Sequence, residues 1–347
     1  MTVATSRMRF ASTLCAALRT VLSSSQTSVR LMTWNVRLDA LPDNITLAES
    51  IAALPDPVAQ PAEFYAVNGE QPWSARRMRI YERILTEEVD IFGLQEAMVR
   101  QVNDMSELLG AGWGHVGVGR EDGIEEGEFM PIYWKKDTFT LLRSDHFWLS
   151  HDPFVPGTKF PGASSVRVAT AAHFKLNSWL SNKRFTLVNT HLDDQSDPAR
   201  AFAASMLLHR ASSEAANSST VFIMGDFNSQ AQGHDASAYQ IMVGLRAPEK
   251  INATFEQAFP AGNKKASEAE FKMIDVRTQL PPMRVAGCWA TFTGFDAKDT
   301  SEYSHIDFIF GGSNGGWNVT SHRVENVLTD DGVFASDHRP VIADILL

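Results

Sequence analysis

Eight short runs rich in β-branched and aromatic residues are spread from one end of the chain to the other: Val29 to Val36, Ile91 to Gln95, Ile132 to Lys135, Val168 to Leu176, Phe185 to Thr190, Val221 to Met224, Ile306 to Phe310 and Val341 to Leu346. Each is bounded by Gly, Asp, Asn or Pro, the residues that end strands. Between them only two stretches carry the spacing of a long amphipathic helix. Ser74 caps one, with Met78, Ile84, Leu85 and Val89 as its apolar positions, and Asp197 with Pro198 opens the other, which continues through Phe202, Met206, Leu207 and Leu208. Strands that outnumber helices without alternating with them predict a layered α+β sandwich rather than a doubly wound parallel sheet. Gly311 to Gly316 reads as a hairpin connection after Phe310.

No linker, repeat or charge block divides the chain after Val29, so residues 29–347 are expected to form one domain, with 1–28 set apart as a tail. A chain of 347 residues buries about three quarters of its unfolded surface on folding. Such a core needs no metal or disulfide staple, and any metal here should serve chemistry. Toward the N-terminus Arg7, Arg9, Arg19 and Arg30 alternate with Ser, Thr and small apolar residues, and no acid precedes Asp39. That composition fits a transit peptide or a ragged non-catalytic end. Cys15 and Cys288 stand far apart, which fits a reducing compartment, the cytoplasm or alternatively the mitochondrion. No apolar run is long enough for a membrane span. The formal net charge of −10 repels a phosphate backbone at long range, so nucleic acid is not a favoured partner, although a local basic pocket is compatible with it.

The strand ends carry the chemical information. Asn35 follows Leu31 to Trp34, Glu96 follows Ile91 to Gln95, His191 follows Phe185 to Thr190, and Asp226 and Asn228 follow Val221 to Met224. Asp307 lies inside Ile306 to Phe310, and Asp337 with His338 precedes the last strand. Each alone has a plain reading: a turn for Gly-Asp-x-Asn, a cap or buried imidazole for Ser-Asp-His, a helix start for Glu96. Together they read differently, because isolated buried carboxylates are costly whereas converging ones can share a cation. Glu96, Asp226, Asp307 and Asp337 are hard oxygen donors, Asn35 and Asn228 are neutral ones, and no Cys stands near. That set suits Mg²⁺ or Mn²⁺ and suits structural zinc poorly.

Six segments, Leu31-Met-Thr-Trp-Asn-Val, Phe92-Gly-Leu-Gln-Glu96, Asn189-Thr-His191-Leu, Gly225-Asp226-Phe-Asn228, His305-Ile-Asp307-Phe and Ser336-Asp337-His338-Arg-Pro, resemble in order the motifs of the endonuclease/exonuclease/phosphatase superfamily. Gly117-Val-Gly-Arg120-Glu-Asp122-Gly, Gly127-Glu128-Phe-Met-Pro-Ile-Tyr and Phe147-Trp-Leu-Ser look like a mostly uncharacterised bacterial or fungal-type subgroup. The resemblance implies a deoxyribonuclease I-like, four-layered αββα sandwich of two mixed sheets flanked by helices. By the family's pattern Glu96 is the principal metal ligand with Asn35 beside it, and Asp337 helps hold metal-bound water. Asp226 orients or deprotonates the attacking water and Asn228 holds a phosphate oxygen. His191 and His338 donate to the phosphoryl group, His338 being positioned by Asp307. One departure stands out: Arg37 occupies the place where apurinic-site endonucleases carry a metal-binding Asp, which weakens the ligand set and offers a cation to a substrate phosphate.

In-line attack of water on a phosphate ester needs a cation, hydrogen-bond donors and a base, and these residues supply all three. The sequence therefore predicts a Mg²⁺- or Mn²⁺-dependent hydrolase of phosphate esters with a small, sugar-like, lipid-derived or nucleotide substrate. Arg37, Arg120 and Arg167 are its expected substrate-binding cations, with Arg200 a poorer candidate; the alternative for Arg120, Arg167 and Arg200 is a structural ion pair or a helix-surface charge. A nuclease or deadenylase is the second reading, opposed by the acidic balance, and a catalytically silent binding module the third. Trp73, Phe129, Tyr133 and Trp148 are expected to pack in the core rather than stack on a substrate.

Overall fold

The computed structural model describes residues 26–54, 60–177, 182–261 and 270–347. The expected tail lies, up to residue 25, outside the described residues, and so does Cys15. Strands β1 (Ser28–Asn35), β2 (Ile91–Gln95), β3 (Trp113–Val116), β4 (Ile132–Lys135), β10 (Val285–Gly287), β12 (Asn318–Val324) and β13 (Val341–Leu346) form a seven-stranded sheet in the order β10-β12-β13-β1-β2-β4-β3. Strands β5 (Phe139–Trp148), β6 (Val168–Leu176), β7 (Arg184–His191), β8 (Thr220–Asp226), β9 (Met273–Asp275) and β11 (Asp307–Gly312) form a six-stranded sheet in the order β5-β6-β7-β8-β11-β9. Both sheets are mixed: β1 runs parallel to β2 and antiparallel to β13, and β7 runs parallel to β8 while β8 opposes β11.

Three apolar clusters separate four layers. Val29, Leu31 and Ile91 of one sheet meet Phe174, Phe185 and Phe222 of the other in the central layer. The next residues along β1, Met32 and Trp34, point the opposite way, onto α2 (Trp73–Thr86) and α3 (Val99–Leu109), where Ile80, Ile84 and Met105 cover them. On the far face of the six-stranded sheet, Ala171, Val188 and Ile223 pack under α4 (Asp197–Ala216) and the short α5 (Ser237–Met242) and α6 (Ala253–Ala258). The remaining helix, α1 (Leu47–Ala52), lies in the loop before α2. Strands buried on both faces read as continuous apolar runs, which is why these were legible. The αββα sandwich is the architecture expected, and among the described residues no helix is long and apolar enough to cross a membrane.

Two local expectations are corrected. Pro72 rather than Ser74 caps α2, and the Ser74 hydroxyl instead donates to Asp43. The buried stripe of that helix is Trp73, Arg76, Arg77, Ile80 and Ile84, while Leu85 is 46% exposed; two arginines on the inward face disguise the apolar period. Gly311 and Gly312 belong to β11, and the turn after them carries the chain into β12 of the other sheet, so it is a crossing between layers and not a hairpin.

Candidate active site

Sheet register accounts for most of the site. His191 of β7 pairs with Asp226 of β8, and Asp226 pairs with Asp307 of β11. Three chemically active side chains therefore stand in one row and, being aligned across neighbouring strands, on one face. In the other sheet Asn35, the last residue of β1, pairs with Gln95, the last of β2, which sets Glu96 one step beyond. Three non-glycine residues just past strand ends have left-handed backbone: Arg37 (φ 56°), Glu96 (φ 61°) and Asn228 (φ 45°). Each costs on the order of 1–2 kcal/mol, strain held where side chains are turned out of a sheet and into a cleft.

At this end the apolar centre gives way to a polar seam. Gln95 Nε2 donates to Thr33 Oγ1 (3.0 Å) and to Asn189 Oδ1 (2.6 Å), and Asn189 Nδ2 donates to the carbonyls of Leu94 (2.8 Å) and Pro131 (2.9 Å). Asn189 thus ties the two sheets together beneath the site. A Cβ on Gly93 would lie 2.5 Å from the Asn189 side chain, so glycine is what lets the sheets approach. Gly225, at φ 150°, is required more strictly: a Cβ there would fall 1.9 Å from the Thr190 carbonyl oxygen.

Above the seam opens a cleft of about 520 Å³ lined by Arg37, Glu96, Glu128, Arg167, His191, Asp226, Asn228, Asp337 and His338. Asp226 is its hub. Its Oδ2 accepts from Asn35 Nδ2 (3.0 Å) and lies 3.5 Å from Nε2 of both His191 and His338, while its Oδ1 accepts from the Asn228 amide (2.9 Å). Asn35 Nδ2 also donates to Glu96 Oε1 (2.9 Å), and Glu96 Oε2 accepts from the Leu38 amide (3.2 Å). His338 Nδ1 meets Asp307 Oδ2 at 2.9 Å, and Phe292 packs edge-on against the His338 ring at 4.9 Å. Asn228 Nδ2 lies 3.0 Å from His191 Nε2. His191 Nδ1 and Asp307 Oδ1 are buried without a hydrogen-bond partner.

The two histidines are driven apart electrostatically. Burial opposes charge on His338, yet Asp307 and then Asp226 outweigh it and push the imidazole up to about 10. His191 is held well below the ordinary value by burial, aided by Arg167, His338 and Arg120. One is an imidazolium at neutral pH and the other is not. Burial, with the charge of Asp307, pushes Asp226 up to about 7, and burial with Glu96 nearby raises Asp337. Crowded acids that retain protons mark a site with an excess of negative potential, which a cation relieves.

The predicted arginines fare unequally. Arg37 lines the cleft, its guanidinium on Glu70 (3.1 Å) and 3.7 Å from Glu96. Arg167 also lines it, held by Asp194 (2.7 Å) and, through its Nε, by Asp193 at 3.7 Å. Arg120 does not reach the lining; it grips Glu128 (2.6 Å) and Glu121 (3.2 Å). Arg200 is buried on Asp235 (2.8 Å) and the Asp193 carbonyl (2.9 Å). Trp73, Phe129, Tyr133 and Trp148 are all buried in the core. Sequence reasoning missed Glu128, whose carboxylate burial pushes up to about 7 against Arg120 and which faces His191 Nδ1 at 3.9 Å. It missed Phe292 and Glu70 as well; only Glu128 had a signal, lying in a quoted segment next to Gly127.

Donor atoms of Asp226, Asp307 and His338 lie within 4.8 Å of one another, a span an ion could bridge. Their chemistry argues for a different use, since the shared proton of the Asp307–His338 pair would have to leave first. The side at Glu96 and Asp337 offers carboxylate oxygens without that cost, with Asn35 beside them, its Nδ2 turned toward Glu96 and its Oδ1 held by the Arg37 amide.

No curated protein sequence matches this one. Among solved structures, the endonuclease/exonuclease/phosphatase from Bacteroides vulgatus is 28% identical, with a TM-score of 0.68 over 92% of this chain and 98% of that one. A mannosyl-6-phosphatase from Bacteroides thetaiotaomicron is 22% identical (TM-score 0.66; 92% of this chain and 100% of that one). TDP2 of D. rerio, solved in complex with a single-stranded DNA product, is 16% identical (TM-score 0.57; 92% and 99%). The last two likenesses speak to the fold alone. Residues 32–338 match the family model described as Endonuclease/Exonuclease/phosphatase family, a span holding every strand end considered above, and the chain belongs to that family.

Proposed function

We propose that the protein is a divalent-metal-dependent hydrolase that cleaves a small, hydroxylated phosphate ester by direct in-line attack of water. The observation that carries this reading is the His191–Asp226–Asp307 row closed by His338 on one side and by Glu96 and Asp337 on the other, in one cleft. Glu96 and Asp337 are the residues that would hold Mg²⁺ or Mn²⁺, joined by Asn35 once its side-chain amide turns Oδ1 toward them. When bound, the ion supplies positive charge that polarises the phosphoryl oxygens.

The chain's own groups do the rest. Asp226, raised to about 7, is poised to orient water and take its proton near neutral pH. His338, kept cationic by Asp307, donates to a phosphoryl oxygen and stabilises the charge that grows there. Neutral His191 and the Asn228 side-chain amide hold the other non-bridging oxygens, with Glu128 facing the far nitrogen of His191. Arg37 and Arg167 add cationic anchors at the cleft wall. General acid–base help is worth about 10²–10⁴-fold in rate and a fixed electrostatic donor about 10²–10³-fold. No covalent nucleophile is needed.

Glu128, Asp194, Asp235 and Glu302 face the same cleft. Carboxylates accept hydrogen bonds from hydroxyl groups and repel a polyanionic strand, which supports a sugar-like or other polyol phosphate over nucleic acid. The mannosyl-6-phosphatase of the same fold is in keeping with that substrate class. Cys15 and Cys288, far apart in sequence, fit a reducing compartment, cytoplasmic or alternatively mitochondrial. The test is a panel of phosphate monoesters, diesters, RNA and single-stranded DNA assayed with Mg²⁺, Mn²⁺ or EDTA. Turnover of a small ester that EDTA abolishes is expected, and processive shortening of RNA with no small-ester turnover would overturn the reading.

A further inference from the structure

Arg76 and Arg77 are neighbours in α2 and both fully buried, at 0% and 1% exposure. Arg77 is an ordinary buried ion pair: it meets Asp104 at 2.8 Å and otherwise holds the 45–50 segment. Among the described residues, no carboxylate meets the Arg76 guanidinium. Its five N–H groups go to backbone carbonyls instead, Nε to Gln71 (2.8 Å), Nη1 to Val36 (2.6 Å) and Ala335 (3.0 Å), Nη2 to Arg37 (3.1 Å) and Leu38 (3.1 Å). A guanidinium has five donors in a fixed fork, and here all are used.

Those carbonyls belong to three segments that build the oxygen-rich side of the cleft. The turn over Val36, Arg37 and Leu38 is left-handed at Arg37, and its outward-facing amides hold the site: Arg37 N donates to Asn35 Oδ1 (3.0 Å) and Leu38 N to Glu96 Oε2 (3.2 Å). Ala335 precedes Ser336, whose hydroxyl donates to the Asn35 carbonyl (2.7 Å), and then come Asp337 and His338. Gln71 follows Glu70, the partner of Arg37. A charge this deeply buried is expensive unless every donor is satisfied, and Arg76 is satisfied only by this arrangement of loops.

We infer that Arg76 is the positioning residue of the metal side, clamping the strained 36–38 turn against the 335–338 segment so that Glu96 and Asp337 present their oxygens together beside Asn35. The inference rests on the proposed function for its purpose. It is tested on the full chain, without metal and then with Mn²⁺, in wild type, Arg76→Lys and Arg77→Lys. An ammonium has three donors radiating from one point and cannot span five carbonyls, whereas Arg77→Lys is an equally buried change on the same helix that touches none of these loops. Hydrogen exchange of the Arg37 and Leu38 amides and the Mn²⁺ dissociation constant by electron paramagnetic resonance are the readouts.

In metal-free wild type both amides are expected to be protected. Arg76→Lys should lose that protection and bind Mn²⁺ about tenfold or more weakly, the scale of losing a group that orients ligands, while Arg77→Lys keeps both. Wild-type amides that exchange freely until Mn²⁺ is added would overturn the inference, because the ion and not Arg76 would then order the turn; that arm stands whether or not either variant folds. Unchanged Mn²⁺ affinity in Arg76→Lys, or equal weakening in Arg77→Lys, would overturn it too. Wild type that binds no Mn²⁺ at all would strike the proposed function itself, while the exchange data still decide the clamp.

Discussion

Replacing Asp307 with Asn keeps the shape of a residue that the mechanism never brings into contact with substrate, yet removes the charge that holds His338 as a cation. Asp307 Oδ2 lies 2.9 Å from His338 Nδ1, and the carboxylate is the largest influence raising that imidazole from 6.5 to about 10. A rise of that size corresponds to on the order of 5 kcal/mol of preference for the protonated form. With Asp307 neutral, burial, which opposes the charge, is left against Asp226 and Asp337, and the His338 pKa should fall to near or below its ordinary value. The sign is fixed by linkage: in wild type the stability gained from protonating His338 is complete below about pH 6.5 and is lost as the pH rises toward 10. The variant should lose this stabilisation and titrate near neutrality. The assay is an NMR titration of the His338 ring in metal-free protein, paired with kcat at pH 6 and pH 8.5 for the metal-loaded protein. We expect the ring to remain protonated past pH 8.5 in wild type only, and kcat of Asp307→Asn to fall by about 10²–10⁴-fold at pH 8.5 and by less at pH 6. An unshifted His338 titration, or the same loss at both pH values, would refute the reasoning.

Asp226→Asn should reduce kcat by about 10²–10⁴-fold without lowering the thermal midpoint, because a carboxyl whose pKa burial raises to about 7 costs stability when ionised; calorimetry at pH 8 checks the second half. Glu96→Gln should raise the Mg²⁺ concentration for half activity by about tenfold or more, read from a metal titration of the rate, and an unchanged requirement would place the ion elsewhere. Gly225→Ala should destabilise the protein by about 3 kcal/mol or more, since its Cβ would fall 1.9 Å from the Thr190 carbonyl oxygen; urea unfolding measures this.

What the sequence reveals here follows from burial. Strands such as β6 and β8, covered on both faces, are built around apolar runs and stood out at once. β5 has Arg143, Ser144 and Asp145 at its centre and an exposed middle, and β12 begins Asn-Val-Thr-Ser-His, so neither carries an apolar run. α2 hides its period because Arg76 and Arg77 occupy inward positions, satisfied by carbonyls and by Asp104 that no local window contains. The glycines from 311 onward look like a hairpin turn because glycine marks a bend without saying which sheet receives the next strand. In the site, the residues at strand ends were legible because parallel and antiparallel register brings such ends together. Glu128 reaches His191 from a loop, and Phe292 reaches His338 through an isolated bridge pair. Such contacts depend on where loops return, and local sequence patterns do not encode that.

The central claim is that the oxygens of Glu96 and Asp337, with Asn35 beside them, gather one divalent ion while Asp307 and His338 keep their proton. Crystals grown with Mn²⁺ and measured at its absorption edge test this most directly. The expected result is a single anomalous peak against Glu96, with Asp307 and His338 still in contact; a peak between Asp226, Asp307 and His338 with their pair broken, or hydrolysis that proceeds unchanged in EDTA, would contradict it.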